Sequence, residues 1–178
     1  PWFAPAGFNR GGIKRLGCND RPNCTGVKIS AGIENLTKAE RDDLYEININ
    51  PIANFPGEGT VVFGQKTLQQ TPSALDRINV RRLMIYLKKR IGKVAQTILF
   101  DNSVQATWTR FTNGADPILA DAKSRFGISE YKLILDSTTT TPDLIDRNIL
   151  YAQVFIKPAR AIEFIAIDFI ITKTGIEF

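Results

Sequence analysis

The sequence predicts an α+β fold in which helices pack over a mixed β-sheet. Three features of the sequence favour this class. Apolar residues recur at helical spacing over 76–91, two β-rich runs surround a Pro-Gly turn within 47–64, and a long apolar run occupies 161–171. A chain of 178 residues with 43% hydrophobic content is long enough to build one compact domain around its own core.

The N-terminal part of the chain is rich in glycine and proline, which predicts a loop over the first 36 residues. Thr37 and Glu40 then have the spacing of a capping box, in which each side chain accepts a hydrogen bond from the backbone N–H of the other residue. A short helix is therefore predicted directly after Thr37. The side chains through which the loop is expected to pack are Trp2, Phe3 and Phe8.

The next two segments predict a hairpin and a long helix. Runs of β-forming residues at Ile47–Ile52 and Thr60–Gly64 flank the turn at Pro56–Gly57, which is typical of a β-hairpin. From Asp76 the apolar spacing becomes that of a core-facing helix, and Gly92 stands where a C-cap is expected. The apolar stripe of this helix consists of Val80, Leu83, Met84, Leu87 and Ile91.

The remainder of the core is predicted to contain further strands and helices. Val94–Phe100 has the composition of a strand, and Asp101–Ser103 is predicted to cap a short helix. Asp116–Pro117 combines an N-cap acid with proline at the first helical position, so a separate helix is predicted from there to Gly127. The last predicted core strands are Tyr131–Leu135 and Leu150–Ile156, joined by a polar threonine-rich loop.

The final apolar run, Ala161–Ile171, has apolar side chains on both faces of the predicted strand and therefore requires cover on both sides. A long apolar strand promotes aggregation unless another strand pairs with it. Two arrangements satisfy this requirement. Either Ile162–Ile167 forms a central strand of the domain's own sheet, or the terminal part extends into the sheet of a neighbouring subunit. Head-to-tail donation that does not close into a ring would produce a helical filament.

Composition excludes several classes of function. The chain has no histidine, which rules out Ser-His-Asp and Cys-His catalysis within it, and Gly57–Gly59 lacks the third glycine of a dinucleotide fingerprint. Cys18 and Cys24 are too few ligands for a zinc site. One disulfide between them is geometrically possible, and free thiols are the expected state. No apolar stretch is long enough to span a membrane, and no secretory signal is recognised. The sequence therefore predicts a protein that is not an enzyme and holds no cofactor or metal.

Two alternative functions fit parts of the sequence. The net charge of +5 and the basic side of the predicted long helix would suit a nucleic-acid-binding module, if the excess charge were concentrated on one face beside aromatic rings that stack on bases. The candidate stacking group is Trp108, Arg110 and Phe111. A carboxylate-based hydrolase would instead use acids around the threonine-rich loop. These acids, which in the simpler interpretation only stabilise turns and helix caps, are Asp136, Asp143 and Asp146.

Four segments of the chain together carry a family resemblance. They are Pro1–Gly7, the hairpin blocks Ile49–Ile52 and Gly59–Leu68, the helical block Ile78–Leu87 and the closing block Lys157–Ile165. In this order they resemble the C-terminal core of tail sheath proteins from contractile phages, either T4-like phages or related contractile injection systems. Each segment alone is weakly specific, whereas all four in the family's order cover most of the chain.

The resemblance implies one structural domain over residues 1–178. Within it, 1–36 would be a loop-rich N-terminal segment, 37–160 the α+β core and 161–178 a C-terminal strand or arm. The family's N-terminal arm and outer domains would lie upstream of Pro1. The implied function is that of a structural subunit that polymerises as stacked hexameric rings around an inner tail tube and contracts to drive the tube through the target cell envelope.

The resemblance also implies partners and site residues. The partners would be other copies of the chain, the tail tube protein, and baseplate and tail terminator proteins, with no nucleic acid and no membrane. The protein would lie in the virion after assembly in the host cytoplasm; another helical or ring-forming virion assembly protein is the alternative. The strand shared with neighbouring subunits would include Ile165, Ile167, Phe169, Ile171 and Thr172. The candidate tube-facing residues, which in the simpler interpretation are only solvated, are Arg81, Arg82, Lys88, Lys89, Arg90 and Lys93.

Overall fold

The computed structural model describes residues 2–11 and 35–167, and its helices and strands confirm the predicted α+β class. The helices are α1 (Lys38–Glu46), α2 (Ile78–Gln96), α3 (Gln105–Ser124) and α4 (Pro142–Asp146). The strands are β1 (Ile52–Phe55), β2 (Gly59–Val62), β3 (Ile128–Ile134) and β4 (Gln153–Pro158). In place of the predicted mixed sheet, these strands form two separate antiparallel pairs, β1–β2 and β3–β4.

Helix α1 begins as predicted but buries none of its residues. The Thr37 N–H donates to Glu40 Oε2 at 2.7 Å, and the Glu40 N–H donates back to Thr37 Oγ1 at 3.4 Å, which completes the capping box. The helix is attached to the hairpin through surface contacts. The Arg41 guanidinium lies 4.9 Å from the centroid of the Phe55 ring, which is within the range of a cation–π interaction.

The β1–β2 hairpin forms around the predicted turn. The first predicted run, Ile47–Ile52, is wrong as a strand except at Ile52, because β1 occupies Ile52–Phe55, and the second strand ends at Val62. Gly57 has a φ of 81°, a left-handed conformation that favours glycine. The outer edge of β2 is covered by the N-terminal loop. The Gly7 N–H donates to Val62 O at 2.9 Å, and the Val62 N–H donates to Gly11 O at 2.8 Å. The hairpin and the N-terminal loop therefore form one connected unit.

Helix α2 is longer than predicted. It continues through Gly92 to its last residue, so the C-cap assigned to Gly92 and the strand assigned to Val94–Phe100 are both wrong. The physical reason is packing against α3. Val94 packs in a core cluster between the two helices, and Gly114 of α3 makes room for it, since a Cβ atom added at Gly114 would lie 2.7 Å from Val94 Cγ1. Burial of Val94 thus stabilises the helix beyond Gly92, although a glycine at this position locally favours helix termination.

Helix α3 is one helix where the sequence predicts two. It contains Pro117 in its interior, so the helix start assigned to Asp116–Pro117 is wrong. Proline inside a helix costs about 3 kcal/mol or more. However, a buried stripe continues on both sides of the proline, and its burial outweighs the local cost. This stripe includes Trp108, Phe111, Ala115, Leu119 and Ala122.

The main core lies between α2, α3 and the β3–β4 sheet. It combines Leu83 and Leu87 of α2 with Leu119 of α3, Ile128 of β3 and the indole ring of Trp2. The predicted apolar stripe of α2 is therefore confirmed, and so is the packing of the N-terminal loop through Trp2. Strands β3 and β4 confirm the last two predicted core strands with shifted boundaries, whereas the short helix α4 between them was not predicted.

After β4 the chain continues through residues 161–167, which we call the arm root. These residues belong to neither of the described sheets. The structure therefore does not place Ile162–Ile167 as a central strand of the domain's own sheet. In the part of the chain that the structure describes, no helix is both long and apolar enough to cross a membrane. The predicted residues that lie outside the described ranges are Cys18, Cys24, Phe169, Ile171 and Thr172.

Candidate assembly interface

The arm root has an inverted pattern of burial. Its large apolar side chains face solvent: Ile162 and Phe164 are each 83% exposed, Ile165 is 78% exposed and Ile167 is 67% exposed. The charged residue among them, Glu163, points the other way, and its side chain is only 15% exposed. In an isolated domain, the face of a strand that meets the core is normally the apolar one. The arm root therefore presents to solvent the surface that a partner would be expected to cover.

Glu163 is the centre of a polar cluster that we call the Glu163 hub, formed with Arg77, Gln65 and Tyr45. Arg77 holds both carboxylate oxygens, with distances of 2.6 Å from Nε to Oε1 and 3.0 Å from Nη2 to Oε2. The Gln65 amide donates to Oε1 at 3.1 Å, and the Tyr45 hydroxyl donates a further hydrogen bond to the carboxylate. A bidentate, charge-assisted pair is stronger and more directional than an ordinary ion pair.

The hub shifts the pKa values of its members. Burial raises the pKa of the Glu163 carboxyl, but the hydrogen bonds from Arg77, Tyr45 and Gln65 outweigh burial and hold that pKa below its usual value. Burial, together with the negative charge of Glu163, raises the pKa of Tyr45 to about 12. The hydrogen bond to Glu163 raises the pKa of Arg77. At neutral pH the hub therefore holds a carboxylate, a guanidinium cation and a neutral phenol.

Elements that are far apart in the sequence bring the hub together. Tyr45 lies in the last turn of α1, Gln65 follows β2, and Arg77 is the N-cap of α2. An antiparallel bridge between Lys66 and Arg77 places two of these segments side by side. Sequence analysis missed the hub. One signal was available, because an acid within an apolar strand needs a partner when it is buried, but nothing in the sequence identifies a partner 86 residues away.

The basic residues predicted to face the tube are all exposed on α2. Two of them have partners within the chain. Arg81 donates to Leu75 O at 3.1 Å and to Gln69 Oε1 at 3.0 Å, and Arg90 donates to the Tyr86 hydroxyl at 3.3 Å. Within the described residues, the other predicted residues take part in no ion pair and are available to a partner. These residues are Arg82, Lys88, Lys89 and Lys93.

Sequence analysis did not assign Ile85 and Gly92 to this outer side of α2, where both lie. Ile85 lies about one turn before Lys88 and Lys89 and is 65% exposed. Gly92 lies about one turn after them, and a Cβ atom added there would meet nothing within 4 Å. This side of the helix therefore combines positive charge with one exposed apolar side chain and one position, Gly92, that has no side chain. We call it the basic face, and it comprises Arg82, Ile85, Lys88, Lys89, Gly92 and Lys93.

The stacking group of the nucleic-acid alternative does not form a surface. Trp108 and Phe111 are only 8% and 5% exposed, because both rings pack in the interior beside α3. The Arg110 guanidinium is paired with Asp101, with 2.7 Å between Nη1 and Oδ2. Aromatic rings must have an open face to stack on bases. The nucleic-acid alternative thus loses its stacking group.

Two acids of the hydrolase alternative, Asp136 and Asp143, make local structural contacts. Hydrogen bonds from the Thr138 hydroxyl and from the N–H groups of Thr138 and Thr139 close the turn around Asp136 and lower its pKa. Asp143 pairs with Arg147 one turn later, with 3.4 Å between the charged atoms. Across residues 2–11 and 35–167, no group of three or more acidic or cysteine side chains is arranged to hold a metal ion. The structure supplies no observation that favours this alternative.

Comparison with protein families distinguishes between the remaining interpretations. The model of the phage tail sheath C-terminal domain family matches residues 70–172, a range that includes α2, α3, the β3–β4 sheet and the arm root. The chain belongs to this family. The resemblance predicted from the sequence is therefore confirmed. The matched range contains the whole basic face of this tail sheath domain and both charged members of its hub, Arg77 and Glu163.

Tail sheath proteins of several phages are similar to the chain. That of Vibrio phage KVP40 is 40% identical over 178 residues, which are 100% of this chain and 25% of that protein. That of Enterobacteria phage T4 is 39% identical over 177 residues, which are 99% of this chain and 25% of that protein. That of Salmonella phage ViI is 34% identical over 139 residues, which are 78% of this chain and 22% of that protein. The chain thus spans about a quarter of the length of these tail sheath proteins.

Solved contractile assemblies contain the same fold as this tail sheath domain. A chain from the cryo-EM structure of the anti-feeding prophage baseplate has a TM-score of 0.76 and 24% identity, over 97% of this chain and 45% of that chain. A chain from the contracted helical sheath of the anti-feeding prophage has a TM-score of 0.74 and 25% identity, over 95% of this chain and 45% of that chain. These likenesses confirm the α+β fold.

Proposed function

We propose that this chain is the C-terminal part of a structural subunit of a contractile tail sheath. In this proposal, the subunit assembles with copies of itself as stacked hexameric rings around an inner tail tube. Shortening of the sheath then drives the tube through the target cell envelope. Membership of the tail sheath family supports the proposal, as does a fold similar to that of a contracted helical sheath. The observation that carries it is the arm root, whose apolar side chains face solvent.

The arm root is suited to a strand that is shared between subunits. Full burial of a side chain such as Ile162 or Phe164 contributes about 1.5–3 kcal/mol, and at present both are exposed. Among the described residues, the backbone of 161–167 makes no hydrogen bond to another backbone segment. Strand addition by a neighbouring copy would supply both the hydrogen bonds and the apolar cover. A head-to-tail contact of this kind that does not close builds a helical array.

The shared strand in this proposal starts inside the arm root at Ile165 and continues through Ile167. Beyond the described residues it would include Phe169, Ile171 and Thr172.

The sheath linked in this way would not be an enzyme and would use no cofactor, because the free energy of shortening would come from contacts between subunits. The other partners would be the tail tube, baseplate and tail terminator proteins. The subunit would be assembled in the host cytoplasm and would reside in the virion.

The basic face is the proposed contact with the inner tube. Lys88 and Lys89 are exposed beside Ile85 and Gly92, so an acidic surface could approach the helix closely at this position. Exposed ion pairs contribute about 0–1 kcal/mol each. Several such pairs would hold the sheath on the tube before triggering and still release it when the sheath widens. The same contacts would be weakened by salt.

Truncation of the arm tests the proposed function. Removing residues 165–178 from the full-length protein should abolish assembly into long tubes and leave a soluble, folded subunit, as judged by negative-stain images and circular dichroism. A matched pair of variants avoids truncation. Ile165→Ser with Ile167→Ser should prevent tube formation, whereas Ile165→Val with Ile167→Val should preserve it. Tubes of unchanged length from the truncated protein would contradict the proposal.

A second candidate function is that of another helical or ring-forming virion assembly protein. The same images distinguish the two. Closed rings that never stack, with or without a tube, would favour this candidate over a contractile sheath. Stacked rings that shorten and widen on triggering would favour the sheath. No observation in the described residues favours a nucleic-acid-binding module over either of these.

A further inference from the structure

We propose that Glu163 is a positioning residue that sets the register of the arm root, and with it the face and the direction in which the arm meets a neighbouring subunit. The inference rests on the proposed function, because it concerns how the shared strand leaves the subunit. It starts from a conflict within the arm root itself. Burial of apolar area alone would turn Ile162 or Phe164 inward, yet both are exposed and the charged residue between them is the one that faces the domain.

Side chains alternate between the two faces of an extended segment, so a slip of one residue exchanges the faces. In the arm root, such a slip would bring Ile162 or Phe164 against the domain and move Glu163 to solvent. The observed register shows Ala161 and Glu163 inward and Ile162 and Phe164 outward. An interaction specific to Glu163 must therefore hold this register against the hydrophobic preference for the slipped one.

The Glu163 hub is that interaction. Both carboxylate oxygens are held by the Arg77 guanidinium, at 2.6 and 3.0 Å, so the carboxylate cannot rotate without breaking a hydrogen bond. Gln65 and Tyr45 approach the same carboxylate from two further elements. Because side chains from three separate elements contact one carboxylate, the hub fixes both the position and the orientation of the Glu163 side chain.

The hub is also the last described anchor before the arm leaves the subunit. Four residues earlier, the Ala159 N–H donates to Gly127 O at 3.1 Å, and the Asn79 amide donates to Ala159 O at 3.4 Å. Within the described residues, 164–167 make no hydrogen bond. Glu163 therefore determines the direction in which the shared strand leaves the subunit, because no described hydrogen bond redirects the chain between Glu163 and that strand.

Substitution of Glu163 in the full-length protein tests this role. Glu163→Gln keeps the shape of the side chain and removes its charge. Its matched control is Glu130→Gln, which makes the same change in the exposed pair between Glu130 and Lys157. We expect Glu163→Gln to raise the concentration needed for tube formation about tenfold and to broaden the distribution of helical twist between tubes in cryo-EM images. It should also speed hydrogen exchange at the Ala159 N–H, which donates to Gly127 O just before the hub, whereas Glu130→Gln should change none of these.

The outcomes separate this inference from the proposed function. If Glu163→Gln assembles at the wild-type concentration with wild-type twist while the 165–178 truncation still abolishes tubes, the inference is wrong and the proposed function stands. If the truncated protein forms normal tubes, the proposed function itself fails. If Glu163→Gln melts early, Tyr45→Phe decides, because it removes one donor and keeps the ring. Broader twist in that variant supports the inference, and wild-type assembly overturns it.

Discussion

The indole ring of Trp2 lies directly on Gly127, where an added Cβ atom would lie 2.8 Å from Trp2 Cγ. The Trp2 indole N–H also donates to Arg125 O at 2.9 Å. These contacts place the N-terminal loop over the turn between α3 and β3 and bury Trp2 in the main core. Trp2 and the described residues beside it are thus part of the folded domain.

Gly127→Ala should destabilise the domain, because the new methyl group would push Trp2 out of its place. Overpacking of this kind costs about 1–3 kcal/mol. Urea unfolding followed by tryptophan fluorescence would measure the change. Gly92→Ala is the matched control, since its methyl group would meet nothing within 4 Å and an exposed helical glycine costs roughly 0.5–1 kcal/mol relative to alanine. The control should therefore be more stable than the wild type; equal effects of the two variants would contradict the packing argument.

Lys88→Glu combined with Lys89→Glu should weaken assembly on the tube more than assembly of the sheath protein alone. Reversing two charges on the basic face turns attraction to an acidic tube into repulsion, whereas contacts between rings do not use this face in the proposed function. Cosedimentation with and without tube protein, at low and high salt, would measure the difference.

The control for this charge reversal is Lys123→Glu with Lys132→Glu, which makes the same change in net charge on exposed residues away from α2. We expect it to leave binding to the tube unchanged. Equal loss of tube-dependent and tube-independent assembly in the Lys88 and Lys89 variant would reject the assignment of the basic face. Gly92→Ala extends the test, because it should weaken binding to the tube although it stabilises the helix.

The Glu163 hub should make stability depend on pH in the acid range. The pKa of Glu163 is lower in the folded chain than its usual value of 4.5, so the ionised hub stabilises the folded state above that pH. This contribution is lost as the pH falls through the folded-state pKa. The difference in unfolding free energy between wild type and Glu163→Gln should therefore be largest near neutral pH and should shrink below about pH 4.5.

Chemical unfolding at a series of pH values would measure this dependence. Of the groups that face Glu163, Arg77 stays positively charged and Tyr45 stays neutral throughout the acid range. Asp76 is a second carboxyl paired with Arg77, with 3.3 Å between the charged atoms. The variant Asp76→Asn is therefore the control, because it shows how much of the pH dependence comes from Asp76. A difference between wild type and Glu163→Gln that does not change with pH would contradict the assignment of a lowered pKa to Glu163.

Local signals allowed several elements to be predicted from the sequence. The capping box of Thr37 and Glu40 marks the start of α1, and the turn at Pro56–Gly57 marks the hairpin, because both depend on neighbouring residues alone. The stripe of α2 was also predictable, since Leu83 and Leu87 follow a helical period. These predictions hold because tertiary packing reinforces the local preference in each case.

The wrong predictions arose where packing opposes the local preference. Gly92 has the character of a C-cap and Pro117 that of a helix start, yet both lie inside helices whose buried stripes continue past them. The Glu163 hub depends on contacts between residues far apart in the chain, which no local pattern reveals. The outward face of the arm root could not be predicted either. An apolar run indicates that a strand needs cover, but not which molecule provides it.

The outward face of the arm root also has a consequence for subunits that have not yet joined a sheath. Such a subunit carries water-exposed apolar side chains at residues 162–167. Full burial of each large one would contribute about 1.5–3 kcal/mol of stabilising free energy. In the proposed function, the driving force for growth of the sheath is thus present before any growing end exists. Concentrated free subunits would then clump irregularly unless a nucleus captured them first. The timing of nucleation, as much as the strength of the final contacts, would decide whether this molecule forms an ordered structure or a precipitate.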